Sequence, residues 1–190
     1  MITNNNSYTI VITGLGGQGL ITLIQILGES IAKKGYKVIT SEKHGLSQRG
    51  GTVICFLRFG EKIAAPIPLL GSAKMILATE KSCVLDVLQY ANPDRSTKII
   101  VSEYKKKVIN SEYPPDKYIS DTLKEHSKDL HFLSTEILQK KPKVTNIFIL
   151  GYIIRYLPIE ITDVEEQLRN YFSGKSLVLN LNALNNGYKF

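Results

Sequence analysis

The sequence of 190 residues contains only two cysteines, Cys55 and Cys83, and they do not form a CxxC pair. Two thiols cannot build a four-cysteine zinc or iron–sulfur site, and they cannot supply a disulfide framework. Any iron–sulfur cluster that works with this chain must therefore be held by a partner. Both cysteines have apolar neighbours in the sequence, which indicates small buried side chains rather than reactive thiols.

Long apolar runs are also missing. No stretch of about eighteen apolar residues occurs, which excludes an obvious membrane-spanning helix. The first residues, MITNNNSYT, lack the charged and apolar regions of a secretion signal. The sequence therefore predicts a soluble, cytoplasmic protein that does not bind a membrane.

Positive charge exceeds negative charge, with 24 basic and 17 acidic side chains and a formal net charge of +7. The lysines are spread over short groups. The sequence lacks the basic face with interleaved aromatic residues that would predict nucleic-acid binding. A solvated basic surface explains most of this charge. The excess nevertheless favours anionic ligands or an acidic partner protein.

Strand and helix patterns alternate along the first half of the chain, and helical patterns fill the last third. Residues 103–120 are polar and contain two consecutive prolines, which predicts an irregular excursion. A capping-box pattern at Thr162 and Glu165 predicts the start of one helix. The predicted strands are 8–13, 37–41, 52–59, 74–78, 98–101 and 131–133, and the predicted helices are 20–34, 82–90, 146–157, 162–172 and 178–186.

This order predicts an α/β fold with a doubly wound, mostly parallel, Rossmann-like sheet and a helical C-terminal third. No internal repeat or low-complexity tract occurs. We expect one domain that spans residues 1–190.

The stretch GLGGQG, from Gly14 to Gly19, follows the first predicted strand and opens the first predicted helix. We expect Gly14 to permit a sharp bend, Gly16 to allow close approach of a ligand, and Gly19 to let the helix pack on the strand. Amides at the helix start favour a phosphate or carboxylate. Two other readings stay open. In the first, the turn belongs to a dinucleotide site, although Glu42 is a late and poor candidate for its ribose-binding acid. In the second, the glycines only form the turn and let the helix pack.

Residues 42–51 follow the second predicted strand, at the edge where ligands bind in parallel sheets. Arg49 offers a planar fork for a phosphate or carboxylate, and Gln48 both donates and accepts hydrogen bonds. His44 could carry a proton near neutral pH. Singly, each has a structural explanation: an arginine paired with an acid, a histidine that fills a hydrogen-bonding position, and a bulge at Gly50 and Gly51.

Taken in order, GLGGQG, the run SEKHGLSQRGGTV from Ser41 to Val53, and Arg58-Phe-Gly60 resemble the gamma-type subunit of the 2-oxoacid:ferredoxin oxidoreductases. The HGxxQRGG run is most similar to the beta subunits of the indolepyruvate branch. Weaker likenesses extend over most of the chain, at residues 66–68, 71–73, Glu80, Asn146, 150–151 and 180–187.

The resemblance implies that this chain is a subunit of an oxidoreductase that acts on the oxo group of a 2-oxoacid. It also implies that the subunit is inactive alone. In that family a 2-oxoacid, here indolepyruvate or another aryl pyruvate, is decarboxylated oxidatively to an acyl-CoA. Thiamine diphosphate with magnesium and 4Fe–4S clusters belong to the larger partner subunit, and electrons pass to ferredoxin. This chain has no recognisable thiamine diphosphate motif and no metal site of its own.

We expect no catalytic residue on this chain. We expect a binding surface that faces the partner's active site and accommodates coenzyme A or the substrate carboxylate. The candidate binding residues are Gly14, Gly16, Gly17, Gln18, Gly19, Glu42, His44, Gln48, Arg49, Gly50, Gly51 and Thr52. Two alternatives remain: a free-standing Rossmann-type NAD(P)-binding protein, and a purely structural subunit whose glycine turn binds nothing.

Overall fold

A computed structural model describes residues 7–44, 51–106, 112–134 and 144–190. Six strands form one sheet in the order β2-β3-β1-β4-β5-β6. The strands are β1 Tyr8–Leu15, β2 Lys37–His44, β3 Thr52–Gly60, β4 Met75–Ala78, β5 Lys98–Ser102 and β6 Asp129–Leu133. The helices are α1 Leu20–Lys33, a 3₁₀ helix Ser82–Tyr90, α2 Asp116–His126, α3 Thr145–Ile153 with a 3₁₀ turn Ile154–Tyr156, α4 Ile161–Tyr171 and α5 Gly174–Lys189.

One strand runs against the others. β3 pairs antiparallel with both β1 and β2, whereas β1, β4, β5 and β6 pair in parallel. The strands β1 and β2 therefore run in the same direction and are joined by α1, but β3 lies between them. The predicted mostly parallel α/β sheet is confirmed, with β3 as its one reversed strand.

Both faces of the sheet carry apolar cores, as a doubly wound fold requires. Side chains alternate between the two faces of a strand, so Ile10 and Ile12 face one side and Val11 faces the other. Ile10 and Ile12 join a core that includes α1 and the three C-terminal helices. Val11 joins a second core with the 3₁₀ helix and α2. The sheet is therefore buried on both faces around β1.

Helix α3 is buried along its whole length, as its apolar composition predicts. It crosses α5 at backbone contact. A Cβ atom on Gly151 would lie 2.1 Å from the carbonyl oxygen of Leu184, and one on Gly187 would lie 1.9 Å from the carbonyl oxygen of Phe148. The crossing therefore requires glycine at both positions.

Several boundaries differ from the sequence prediction by a few residues, and one helix differs in type. β2 continues three residues beyond the predicted end, through His44, because β3 pairs with it along its whole length up to His44–Val53. α5 begins at Gly174, before the predicted start at residue 178. The 82–90 segment is a 3₁₀ helix and not an α-helix.

One helix was missed, and the start of another was placed one residue late. α2 lies partly within the stretch predicted to be irregular, and it buries only Ile119 and Leu123, so its apolar pattern is too sparse to recognise. α4 begins at Ile161, one residue before the predicted start at Thr162. The carboxylate of Asp163 accepts a hydrogen bond from the backbone N–H of Glu160 at 2.8 Å, and this contact fixes the helix start.

Within the ranges described above, no helix combines the length and the apolar character needed to cross a membrane.

The glycine crossing gives a stability prediction. Gly151→Ala places a methyl group against backbone atoms that cannot rotate away, so we expect the free energy of unfolding to fall by about 3 kcal/mol. The matched control is Gly28→Ala in the middle of α1. There a Cβ atom would lie 3.4 Å from Thr40 Cγ2, an ordinary contact, and we expect stability to rise by about 0.5–1 kcal/mol.

Urea unfolding followed by far-UV circular dichroism measures both changes. Equal stability of the Gly151→Ala variant and the wild-type protein would show that α3 and α5 do not cross at backbone contact.

Candidate functional site

The glycine turn and the start of β3 meet at the carboxyl edge of the parallel strands. Leu15 at the end of β1 pairs with Thr52 at the start of β3. Just beyond, the N–H of Gly16 donates to the carbonyl oxygen of Gly51 at 3.1 Å. The two segments that the sequence analysis singled out are therefore adjacent, and Gly16 and Gly17 are exposed beside this contact.

The remaining candidate residues have different positions. His44 ends β2, where its backbone pairs with Val53, so β2 reaches the same edge of the sheet. Glu42 lies within the strand opposite Cys55, two residues before that edge. Gln48, Arg49 and Gly50, together with the neighbouring Gly45, lie outside the described residues.

Gln18 holds the glycine turn together. Its Oε1 accepts from the backbone N–H of Leu15 at 2.7 Å and from Thr79 Oγ1 at 2.8 Å. Its Nε2 is buried and has no hydrogen-bond partner among the described residues. The Gln18 side chain thus links the end of β1 to the residue that follows β4, and it has an unused donor.

The bend is not made by Gly14, as expected, but by two later glycines. Gly17 and Gly19 have positive φ angles of 86° and 73° and make the bend, whereas Gly14 belongs to β1. Gly14 is needed for another reason, because a Cβ atom there would lie 2.0 Å from Thr79 Oγ1. At Gly19 a Cβ atom would lie 2.8 Å from Asn146 Nδ2.

Asn146 connects the buried helix α3 to the turn. Its Nδ2 donates to the carbonyl oxygen of Gly19 at 2.9 Å, and its Oδ1 accepts from the backbone N–H of Ile147 at 2.9 Å. No side chain caps the start of α1 at Gly19. Asn146 therefore fixes the turn from behind and leaves the first amides of α1 uncapped by side chains.

The turn lies at the switch point of the fold. β1 and β4 are neighbours in the sheet, but the helices that follow them pack into different cores on opposite faces. The position between these two strand ends, here named the crevice, is the one at which doubly wound sheets bind ligands. Gln18 and Thr79 bridge this crevice at its base.

Glu80 organises the wall of the crevice. Its side chain is fully buried, and its Oε2 accepts from the N–H and hydroxyl of Ser82 and from the N–H of Cys83. Its Oε1 accepts from the hydroxyl of Tyr113 at 2.7 Å and from the N–H of Lys106 at 3.2 Å. Glu80 is therefore a positioning residue that ties the start of the 3₁₀ helix to the segment after β5.

A cavity of about 420 Å³ opens at the ends of β4 and β5, lined by Lys81, Glu103, Tyr104, Lys105 and Asp116. The Nζ of nearly buried Lys81 lies 3.1 Å from Asp116 and 3.8 Å from Glu103, and Lys105 Nζ lies 2.5 Å from Asp116. Two cations and two carboxylates balance each other there. The cavity is therefore polar without being an anion site by charge alone.

Thr52 is held at the other side of the turn. Its hydroxyl donates to Asp86 Oδ2 at 2.7 Å and lies 3.9 Å from Cys83 Sγ.

Burial and the neighbouring carboxylate of Glu80 raise the pKa of the Cys83 thiol. Burial, with a contribution from Glu42, raises the pKa of Cys55 to about 12. Neither cysteine is a thiolate at neutral pH, so neither supplies a nucleophile.

The comparison with known proteins decides the family. A sequence profile described as pyruvate ferredoxin/flavodoxin oxidoreductase matches residues 9–190. The chain belongs to this family. The indolepyruvate oxidoreductase subunit IorB of Archaeoglobus fulgidus is 32% identical over an alignment that covers 94% of this chain and 92% of that protein. The resemblance found in the sequence is thereby confirmed.

Two solved structures share the fold of this oxidoreductase family member. Pyruvate oxidoreductase subunit PORC from Thermotoga maritima matches with a TM-score of 0.69 at 16% identity, with 97% of each chain covered. The 2-oxoglutarate:ferredoxin oxidoreductase from Magnetococcus marinus matches with a TM-score of 0.74 at 18% identity. In that case 97% of this chain covers only 31% of the longer chain.

The sequence analysis missed several residues of this chain that build the carboxyl edge of the sheet. Thr79, Asp86 and Tyr113 contact the turn or its supports through partners that are remote in sequence. Gln18 and Thr79, for example, are 61 residues apart. The position of Thr79 immediately after a buried strand was the one available signal.

The raised thiol pKa values predict slow chemistry at both cysteines. We expect the folded chain to resist a thiol-specific disulfide reagent at mildly alkaline pH, and we expect both cysteines to react once guanidinium unfolds the chain. Val178→Cys, placed at an exposed position of α5, is the control that should react at once. Rapid labelling of wild-type Cys83 in the folded state would contradict the burial of this thiol.

The Lys81 cluster predicts a loss of stability in acid. Hydrogen bonds from Lys105 and then Lys81 lower the pKa of Asp116 in the folded chain. Its stabilising effect is therefore complete above the unfolded value of about 3.9 and is lost as the pH falls through the lower folded value. We expect Asp116→Asn to reduce stability at neutral pH and to flatten the acid limb of a plot of urea midpoint against pH.

Asp121→Asn is the matched control for this experiment. Asp121 lies on the same helix and is as exposed as Asp116, but its partner Lys124, at 3.5 Å, is exposed as well, whereas Lys81 is nearly buried. An ion pair between two exposed side chains contributes little. If the urea midpoints of the two variants depend on pH in the same way, Asp116 has no special role beside Lys81.

Proposed function

We propose that this chain is the small, cluster-free subunit of a thiamine diphosphate-dependent 2-oxoacid:ferredoxin oxidoreductase of the indolepyruvate type. The observation that carries the proposal is the family match over residues 9–190, together with the 32% identity to an indolepyruvate oxidoreductase subunit over almost the whole chain. The complex would convert an aryl 2-oxoacid and coenzyme A to an acyl-CoA and pass electrons to ferredoxin.

The residues of this chain fit a subunit that holds no cluster. A 4Fe–4S cluster needs four thiolates, whereas this sequence has two cysteines, both with raised thiol pKa values. Within the described ranges, no group of three His, Cys, Asp or Glu side chains is arranged to hold a metal ion. Thiamine diphosphate, magnesium and the clusters therefore belong, in this proposal, to a larger partner subunit.

In the same proposal, the crevice edge of this chain completes the partner's active site. The exposed Gly16 and Gly17 and the adjoining Gly51 offer backbone to a ligand. Gln18 Nε2, which has no hydrogen-bond partner among the described residues, offers a donor. The start of α1 adds the positive end of a helix dipole. Arg49, with Gln48 and His44, would supply the charge and the orienting hydrogen bonds toward a carboxylate or a phosphate of coenzyme A. The Magnetococcus marinus enzyme, which shares the fold, was solved with 2-oxoglutarate, coenzyme A and succinyl-CoA bound.

The position of β3 argues against the alternative of a free-standing NAD(P)-binding protein. A dinucleotide site needs the acid at the end of the second strand to lie next to the glycine turn at the end of the first. Here β3 lies between those strands, so β2 is two strand spacings, about 9–10 Å, from β1. Glu42 is further displaced because it lies two residues before the end of β2.

Reconstitution tests the proposal. The chain is co-expressed with the larger subunit from the same organism, and viologen reduction is followed with indolepyruvate and coenzyme A. We expect activity only in the complex. Arg49→Ala should raise the apparent Michaelis constant for coenzyme A or the 2-oxoacid about tenfold, because a charge-assisted hydrogen bond is lost. Arg169→Ala, an exposed arginine in the last turn of α4, removes the same charge and should leave both constants unchanged.

Three results would count against parts of the proposal. Viologen reduction by the isolated chain would remove the dependence on a partner, and tight binding of NADH by that chain would favour the dinucleotide alternative. Unchanged constants in the Arg49→Ala complex would leave the chain with a purely structural role.

A further inference from the structure

The segment between β3 and β4 occupies one corner of the sheet. Ser41 of β2 pairs with Phe56, which belongs to the core of the face that carries the 3₁₀ helix and α2. On that face the Ser41 hydroxyl donates to the carbonyl oxygen of Pro66 at 3.1 Å. Arg58 of β3 donates to the carbonyl oxygen of Ala65. Residues 64–71, here named the corner loop, therefore lie over β2 and β3, where a loop takes the place of a covering helix.

The corner loop is fastened at both ends. Beyond the two contacts at its start, Ser72 Oγ donates to the carbonyl oxygen of Leu69 at 2.6 Å. The N–H of Gly71 donates to the carbonyl oxygen of Gln89 in the 3₁₀ helix at 3.0 Å. Pro68 is buried in the middle of the loop. The loop is therefore held in one conformation and would lose little freedom on binding.

Three large aliphatic side chains nevertheless project from this fastened loop into solvent. Ile67 is 60% exposed, Leu69 is 80% exposed and Leu70 is 66% exposed. Single exposed aliphatic residues are common on protein surfaces, but a contiguous set on a rigid support is typical of an interface.

Lysines surround the corner loop. Lys62 precedes it and Lys74 follows it, and both are exposed. Lys62 also lines an adjoining groove of about 610 Å³ with Lys37, Ile39, Glu61 and Ala64. Among the described residues, neither Lys37 nor Lys62 forms an ion pair. Glu61 lines the same groove, and Asp94 interacts electrostatically with Lys74. Three lysines therefore face two carboxylates, and the border of the apolar projection has a small net positive charge.

This border selects the kind of partner. A second copy of the chain would bring the same lysines against themselves, and each copy has a net charge of +7, so self-association is opposed. An apolar pocket with acidic side chains at its margin matches both the aliphatic residues and the lysines. The partner surface is thus defined by complementary charge as well as by shape.

We infer that the corner loop is the docking element of this chain, and that Leu69 and Leu70 insert into an apolar, acid-bordered pocket of the larger subunit. The inference rests on the proposed function, because it assigns the surface to that partner. The length comparison agrees with it. The same fold is a separate chain in the Thermotoga maritima subunit but 31% of a longer chain in the Magnetococcus marinus enzyme, so a separate chain needs a surface that holds it in place.

The test measures binding of the full chain to the purified larger subunit. We expect Leu69→Asp to weaken the dissociation constant at least about tenfold, since it removes a central aliphatic contact and adds a charge that the acidic border repels. The matched control is Val178→Asp on α5, where the side chain is 57% exposed and the same change should alter binding by no more than about twofold. Lys62→Glu should slow association, with the largest effect at low salt.

The outcomes separate this inference from the proposed function. If the wild-type subunits associate into an active complex and Leu69→Asp binds as tightly as wild type, the docking inference is overturned while the proposed function stands. If the wild-type subunits neither associate nor reduce viologen, the proposed function is overturned, and the docking inference that rests on it is overturned with it. If size-exclusion chromatography with light scattering shows a dimer of this chain that Leu69→Asp dissociates, the loop belongs to a self-contact and the inference is overturned. Circular dichroism and urea unfolding of the variants confirm that each is folded.

Discussion

The antiparallel pairing of β3 with β1 is the contact on which the architecture of the carboxyl edge depends. The register places Thr52 opposite Leu15, so the first residue of β3 meets the last residue of β1. The Gly16–Gly51 hydrogen bond then continues this ladder past the end of the strands. A shift of the register by one residue would turn the side chains of β3 to the wrong faces and would separate the two segments that form the crevice.

The crevice is formed mainly by backbone, and buried side chains hold that backbone in place. Gln18, Thr79 and Glu80 contact the turn or the wall from within, and Asn146 supports the turn from the buried helix α3. Among the described residues, the parts of this site that adjoin the glycine turn are mainly backbone amides and a helix terminus. This arrangement suits a subunit that helps to enclose another protein's chemistry. The corner loop covers a face of β2 and β3, so the surface proposed for the partner and the edge proposed for the ligand are on different parts of the same strands.

Sequence patterns predicted the elements well and their pairing less well. Apolar alternation and spacing revealed β1, β3, α1 and the buried α3, because burial leaves a clear record in these segments. The reversed direction of β3 is not visible in its own pattern, although the connection from β2 is shorter than the dozen residues that a parallel crossover takes. The α2 helix was missed because only Ile119 and Leu123 are buried. The contacts of Gln18 with Thr79 and of Glu80 with Tyr113 join residues far apart in sequence, and no local pattern records them.

The topology also constrains how the chain folds while it is being synthesised. In the described sheet, β2 has a single neighbour, β3. β2 leaves the ribosome before Thr52–Gly60, so at that moment it has no strand to join. The strand–helix–strand segment at the N-terminus, which in an ordinary parallel fold closes as a unit, must here stay open until β3 has emerged. An early arrest in translation would therefore leave β2 as an unprotected edge, available to other nascent chains.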